Sequence, residues 1–231
     1  MSENIKKITK AFKVDLDSRE NQNILKPSTR PFNNRVHQVN GVAKKIDKLI
    51  KNAQDSNDDI ILNHNKIKKA FFSPFKPQLK SAQVFLSHSH ADKNKALKVK
   101  NYLESRTKHK VFVDSLFWDY KDNVLNELAK YDDTSKIKDA FTLILRESLQ
   151  DMIEKCPYFV FLQSNNSVSN QGLSRTTYSA WIHEELKIAH SIRESRLTPM
   201  TESWQVSHDI SPFLESLETI TLKELSRIIN S

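Results

Sequence analysis

The run YFVFL at residues 158–162 is apolar at every position, lies directly after Pro157 and gives way to the polar stretch SNNSVSNQGLSRTTYS. A strand with one face in water alternates apolar and polar residues, whereas a run apolar throughout suits a strand covered on both faces, as in a parallel sheet. VFL at 84–86 and VFV at 111–113 read the same way. Between these runs, NKALKVKNYLES sets Ala96, Val99 and Leu103 on one helical face. SKIKDAFTLILRESLQDMIEK does so with Ile137, Phe141, Ile144, Leu145, Leu149 and Met152, until Pro157 stops it. Strands alternating with helices of this length predict a doubly wound, mainly parallel α/β sheet over residues 78–231. The segment Leu197–Ile220 has no clear period and leaves room for a last strand.

Residues 1–77 read differently. They are expected to form a basic, partly flexible helical extension: residues 1–80 hold 17 Lys and Arg against 8 Asp and Glu, while the rest of the chain is nearly balanced. Residues 1–35 mix charges, Asn and the breaker stretch KPSTRPF, and read as flexible or loosely docked. Val39, Val42, Ile46, Leu49 and Ile50 recur at helical spacing, IILNHNKIKKAFF is a second short helical candidate, and SPFKPQ closes the region near Pro77. The lysines of the first helix read as a solvated face, with a partner surface or nucleic-acid binding as the weaker alternatives.

Composition narrows the chemistry. Cys156 is the only cysteine, so neither an intrachain disulfide nor a cysteine-built zinc cluster is available, which suits a reducing compartment such as the cytoplasm. Cys156 itself reads as core. No apolar run approaches the roughly 20 residues that cross a bilayer, and MSENIKKITK lacks the apolar centre of a signal peptide. Gly41 and Gly172 are the only glycines, which rules out Walker-type and Rossmann-type phosphate loops.

In a doubly wound sheet, ligands bind outside the carboxyl ends of the strands. SHSHADK follows the first strand, DSLFWDY the second and SNNSVSN the third, so these segments should gather at one edge as rim loops. His88, His90 and Asp92 resemble the His-x-His-x-Asp-His run of metallo-β-lactamase-type hydrolases. The closing histidine is replaced by Lys93, however, and no metal is expected. In SAWIHEELKIAHSI, Ile182, Leu186 and Ala189 form the stripe that should pack on the sheet, and His183, Lys187 and His190 a polar stripe. A third row reads Trp181, Glu185, Ile188, Ile192: a carboxylate in an apolar row, one turn after a tryptophan. Burying it is costly without a partner. Periodicity leaves two accounts open: a salt bridge from Glu185 to a lysine with Trp181 as a core anchor, or a pocket with an aromatic platform and one anionic group.

Taken together, VFLSHSHADK, VFVDSLFW, YFVFLQSNNSVS and SAWIHEEL resemble the motif succession of Toll/interleukin-1 receptor (TIR) domains, particularly bacterial stand-alone ones, over residues 82–195. The resemblance implies a flavodoxin-like fold and an enzyme that releases nicotinamide from NAD+, as a glycohydrolase or ADP-ribosyl cyclase in antiphage defence. NAD+ would be substrate, and no cofactor is implied. The Trp-x-x-x-Glu match makes Glu185 catalytic and puts Trp181 beside the nicotinamide. Ser87, His88 and Ser89 would line the nucleotide site, and Asp114–Asp119 match the BB loop of the family, with Asp114 and Trp118 as further substrate contacts. Phe117 and Trp118 could equally cover a subunit contact or fold back on the sheet edge. The BB loop lacks its usual Pro or Gly, and residues 119–134 look like an insertion. Homo-oligomerisation through TIR contacts, and a downstream effector or phage-derived trigger, are implied as partners. The rival expectation is a non-catalytic TIR adaptor that works by homotypic assembly.

Overall fold

The computed structural model describes residues 10–26, 39–54, 64–73, 81–130, 135–171, 174–190 and 208–231. The chain divides into two compact units, one of Met1–Pro31, Ala82–Asp114 and Gln150–Ser231, the other of Phe32–Ser81 and Ser115–Leu149.

The first unit is the α/β one. Its strands are β1 (Lys10–Asp15), β2 (Ala82–Ser87), β3 (Lys110–Val113), β4 (Tyr158–Gln163) and β8 (Glu218–Thr219), joined as a five-stranded sheet in the order β3-β2-β4-β1-β8. Every pairing is parallel. Val84, Phe85 and Leu86 of β2 and Phe159, Val160, Phe161 and Leu162 of β4 have no exposed surface, as expected of strands covered on both faces. The Phe85 ring stacks on Phe159 at 5.8 Å, locking the two central strands together. This is the doubly wound α/β class expected from the sequence, with helices α1 (Arg19–Ile24), α4 (Lys93–Arg106), α7 (Ala180–His190), α8 (Ser211–Glu215) and α9 (Leu222–Asn230) in the same unit.

The topology holds a surprise at the N-terminus. Flavodoxin-like sheets run 2-1-3-4-5 in chain order. With β1 set aside, the remaining strands keep that order, and the fourth place is filled by β1, the first strand among the described residues. Residues 10–15 therefore are a central strand and not part of a loosely docked arm. β1 pairs with β4 along its whole length and with β8 at Phe12 and Lys13. Lys13 explains why KAFKVD does not read as a strand: a lysine breaks the apolar run, yet it is buried in the sheet. Its ammonium donates to the carbonyl of Leu214 at 3.0 Å, at the carboxyl end of α8, where a cation is favoured. Burial, assisted by Arg175, lowers its pKa.

The last strand does lie in Leu197–Ile220, as β8, a two-residue edge strand. The polar stretch after β4 is no simple loop: β5 (Ser169–Gln171) and β6 (Ser174–Thr177) pair antiparallel, and β7 (His208–Asp209) adds to β6.

The second unit holds α2 (Val39–Gln54), α3 (His64–Phe71), α5 (Ser115–Leu128) and most of α6 (Ser135–Lys155). Phe71 is its centre, edge-on to Phe72 at 4.9 Å and to Tyr120 at 5.0 Å, and tilted against Phe141 at 5.2 Å. Lys44, Lys45, Lys48 and Lys51 are exposed, the solvated face expected of α2. SPFKPQ falls mostly outside the described residues. The expected rim loop at 114–119 is corrected by α5, a helix running from Ser115 to Leu128, which also takes up most of the described part of 119–134. Tyr120, Val124 and Leu128, four residues apart, are its buried stripe.

Candidate functional site

The chain steps from β2 to β3 at one edge and then returns past β2 to β4, so connections part beside β2 and β4. The crevice outside the carboxyl ends at such a switch point is where doubly wound sheets take ligands. Four buried polar side chains converge there: Ser87 ends β2, His88 follows it, Asp114 follows β3, and Glu185 enters from α7.

Glu185 has no exposed surface. Its position follows from the helix: Ile182, Leu186 and Ala189 are the buried apolar stripe, and Glu185 adjoins it. The Ser87 hydroxyl donates to Glu185 Oε2 at 2.5 Å, a short O–H···O bond. The account in which Glu185 pairs with a lysine is thus not what the fold provides; its partners among the described residues are Ser87 and Asp114. Glu185 Oε1 receives no hydrogen bond from them.

Asp114 in turn faces His88, with Nδ1 to Oδ1 at 2.5 Å. The approach is that of an ion pair, and neither ring nitrogen of His88 makes an aligned hydrogen bond among the described residues. Burial works against a charged His88, but the Asp114 carboxylate, with Asp92 behind it, outweighs burial and raises its pKa. Glu185 is driven the same way for other reasons: burial first, then the Asp114 charge, lift it well above the usual carboxylate range, and the Ser87 bond only partly offsets them.

Of the other residues expected here, Trp181 is half-buried one helical turn before Glu185. Ser89 is half-buried at the start of the 3-10 turn His90–Asp92 and makes no side-chain cap bond. The Trp118 and Phe117 side chains lie outside the described residues, and their backbone belongs to α5 in the other unit. His88, His90 and Asp92 do not converge: His88 turns to Asp114, His90 is exposed, and Asp92 is bound elsewhere. Among the described residues no three His, Cys, Asp or Glu side chains are grouped to hold a metal ion. Cys156 is buried, its Sγ 3.7 Å from the Ala82 carbonyl.

The site of Asp92 is a second polar cluster that the sequence reading did not reach. Asp92 accepts from the Ser164 hydroxyl and from Asn166 Nδ2 at 3.0 Å, and Lys95 approaches it at 3.4 Å. Lys95 also bonds Asp17 at 3.1 Å, and Asp17 accepts from the Asn165 backbone at 2.9 Å. The loop after β4 is thereby tied to the ends of β1 and β2. The polar residues of SNNS, directly after a buried strand, were the available signal.

Two histidines of the polar stripe of α7 have partners, although His190 stays exposed. His183 stacks on His208 at 4.8 Å and meets Phe213 edge-on, and His190 bonds Ser216 at 3.0 Å. Glu184, expected on a solvated stripe, is half-buried.

Compared with family models, curated proteins and solved structures, the chain matches none. No helix among the described residues is long and apolar enough to cross a membrane.

Proposed function

We propose that the chain is a cytoplasmic NAD+ nucleosidase of TIR type that breaks the bond between nicotinamide and ribose, acting in defence of a bacterial cell against phage. The observation that carries this reading is the seating of Glu185, buried and hydrogen-bonded to Ser87, at the switch point of the sheet, one turn after Trp181.

The chemistry suits such a site. Glycosidases ordinarily need an acid to protonate a poor leaving group. Nicotinamide leaves as a neutral molecule from a cationic pyridinium, so the protein need only stabilise the positive charge that develops on the ribose. A carboxylate held in a dry site does this far better than one in water. Glu185 is the stabilising group, Ser87 fixes its orientation, and Trp181 offers a flat face to the departing ring. Water captures the ribosyl cation to give ADP-ribose; capture by a hydroxyl or by the adenine of the same molecule gives a cyclic isomer.

The full burial of Glu185 favours a second reading, in which the chain is an adaptor acting by self-assembly and Glu185 only supports the fold. For the enzyme reading it means that substrate enters an opened form, such as one stabilised by self-assembly. The deciding experiment incubates concentrated protein with NAD+, with and without infected-cell extract, and resolves the products by chromatography and mass spectrometry. Nicotinamide release that Glu185→Ala abolishes supports the enzyme; activity unchanged by that substitution, or intact NAD+ throughout, moves the assignment to the adaptor.

A further inference from the structure

We propose that Glu185 and Asp114 hold one proton between them in the free protein, that His88 is the cation keeping Asp114 ionised, and that a cationic ligand enters by displacing that proton to solvent. The inference deepens the reading above and rests on Glu185 facing the ligand.

Three observations carry it. The Ser87 hydroxyl has a single proton and gives it to Oε2, leaving Oε1 with no donor in a site closed to water. Asp114 lies within hydrogen-bonding reach of Glu185, yet two ionised carboxylates can only accept and would repel across that gap. A proton on one of them turns the repulsion into an O–H to O bond. His88 decides which one, because its ring lies against Asp114 at 2.5 Å and favours the anion there, leaving the proton on Glu185.

The other charges around the cluster do not change this assignment. Asp92 supports the charge on His88 and Lys93 opposes it, while on α7 Glu184 and Lys187 are half-buried neighbours of Glu185. With Glu185 neutral, Asp114 negative and His88 positive, the cluster carries no net charge. A cation placed against it leaves a buried positive charge uncompensated unless a proton departs.

The ligand class follows: a ring that is itself cationic, such as the pyridinium of NAD+, is matched by ionised Glu185, whereas the neutral ring of NADH gains nothing. On entry the Glu185 O–H bond breaks and its proton goes to water; no bond forms to the ligand. When nicotinamide leaves, the positive charge passes to the ribose. Water then adds to the ribosyl cation through its oxygen and releases one proton, which restores Glu185.

Infrared spectra of the full chain, taken from mildly acidic to mildly alkaline pH, test the shared proton directly. The carbonyl stretch of a protonated carboxyl is expected at neutral pH in the wild type and absent in Glu185→Gln. In Asp114→Asn it should be lost at lower pH, and should that variant not fold, the first two proteins decide. No such band in the wild type overturns the proposal. Calorimetry with NAD+ in buffers of different ionisation heat should show close to one proton released per NAD+ bound, with NADH at least about tenfold weaker. NAD+ binding without proton release overturns the proposal as well. If NAD+ does not bind while the infrared band is present, the nicotinamide reading fails and the shared proton stands.

Discussion

Two buried carboxylates sit at the same edge of the same sheet, and their surroundings are opposite. Asp92, 1% exposed, is saturated: Ser164 and Asn166 each donate to it, and the Lys95 ammonium lies beside it. Glu185, 0% exposed, has one donor, an orphaned oxygen and a second carboxyl as its neighbour. Burial alone therefore does not mark a working residue, since both are buried. The difference lies in whether the cost of burial is met. A carboxylate met on all sides holds loops in place; one left in want of a proton or a cation is poised to receive something.

The largest effect should separate the two by activity. Glu185→Gln keeps the shape and removes the charge, and nicotinamide release should fall by about 10²-fold or more, the size of a lost electrostatic stabiliser. Thermal unfolding of the same variant should show no loss of stability at neutral pH. A variant that unfolds together with its activity would erase the contrast and make Glu185 a second Asp92.

Asp92→Ala should do the reverse. It frees Ser164 and Asn166 and leaves Lys95 only Asp17, so a loss of roughly 3 kcal/mol in chemical denaturation is expected, in the range for breaking a buried polar network. Asp92→Asn keeps some of the hydrogen bonding and should lose less. Nicotinamide release per folded molecule should change little in either.

How much of this contrast the sequence reveals depends on the distance over which each feature is encoded. The strands at 82–87, 110–113 and 158–163 and the helix at 135–155 are local, written in runs and periods, and they read correctly. Glu185 stands out because helical spacing places it in an apolar row next to Trp181. β1 does not, because the burial of Lys13 is made tolerable by a carbonyl 201 residues away, which no window on the sequence contains. The same holds for Asp114 beside Glu185 and for Ser164 on Asp92, contacts that exist only once strand order is known. Helix α5 was legible in principle through Tyr120, Val124 and Leu128, but its start at Ser115 abuts a strand without a turn signal.

A smaller effect concerns pH. Glu185 ionises above its unfolded value, so its share of stability is complete below the ordinary carboxylate pKa of about 4.3 and is lost as pH rises through the raised folded value. Gln cannot ionise, so Glu185→Gln should be more stable than wild type on the alkaline side, by about 2–4 °C in Tm for each kcal/mol relieved. The difference between the two proteins should close on acidification. His88 also ionises above its ordinary value and stabilises mainly on the acid side, but it is common to both proteins and largely cancels. A gap that does not grow with pH would mean that Glu185 does not change its protonation state over that range.

The smallest expected effect belongs to Ser87. Its hydroxyl donates to Glu185 whether that carboxyl is neutral or charged, but the bond to the charged form is the stronger, which is why Ser87 pulls the Glu185 pKa down against burial and Asp114. Ser87→Ala should therefore cost about 0.5 kcal/mol where Glu185 is protonated and about 1.5 where it is ionised. The sign of that trend is the informative part. If Ser87 served only to fill space at the end of β2, its loss would cost the same at every pH. A cost that climbs with pH ties the hydroxyl to the charge on Glu185, and so to the feature that sets this cluster apart from the one around Asp92.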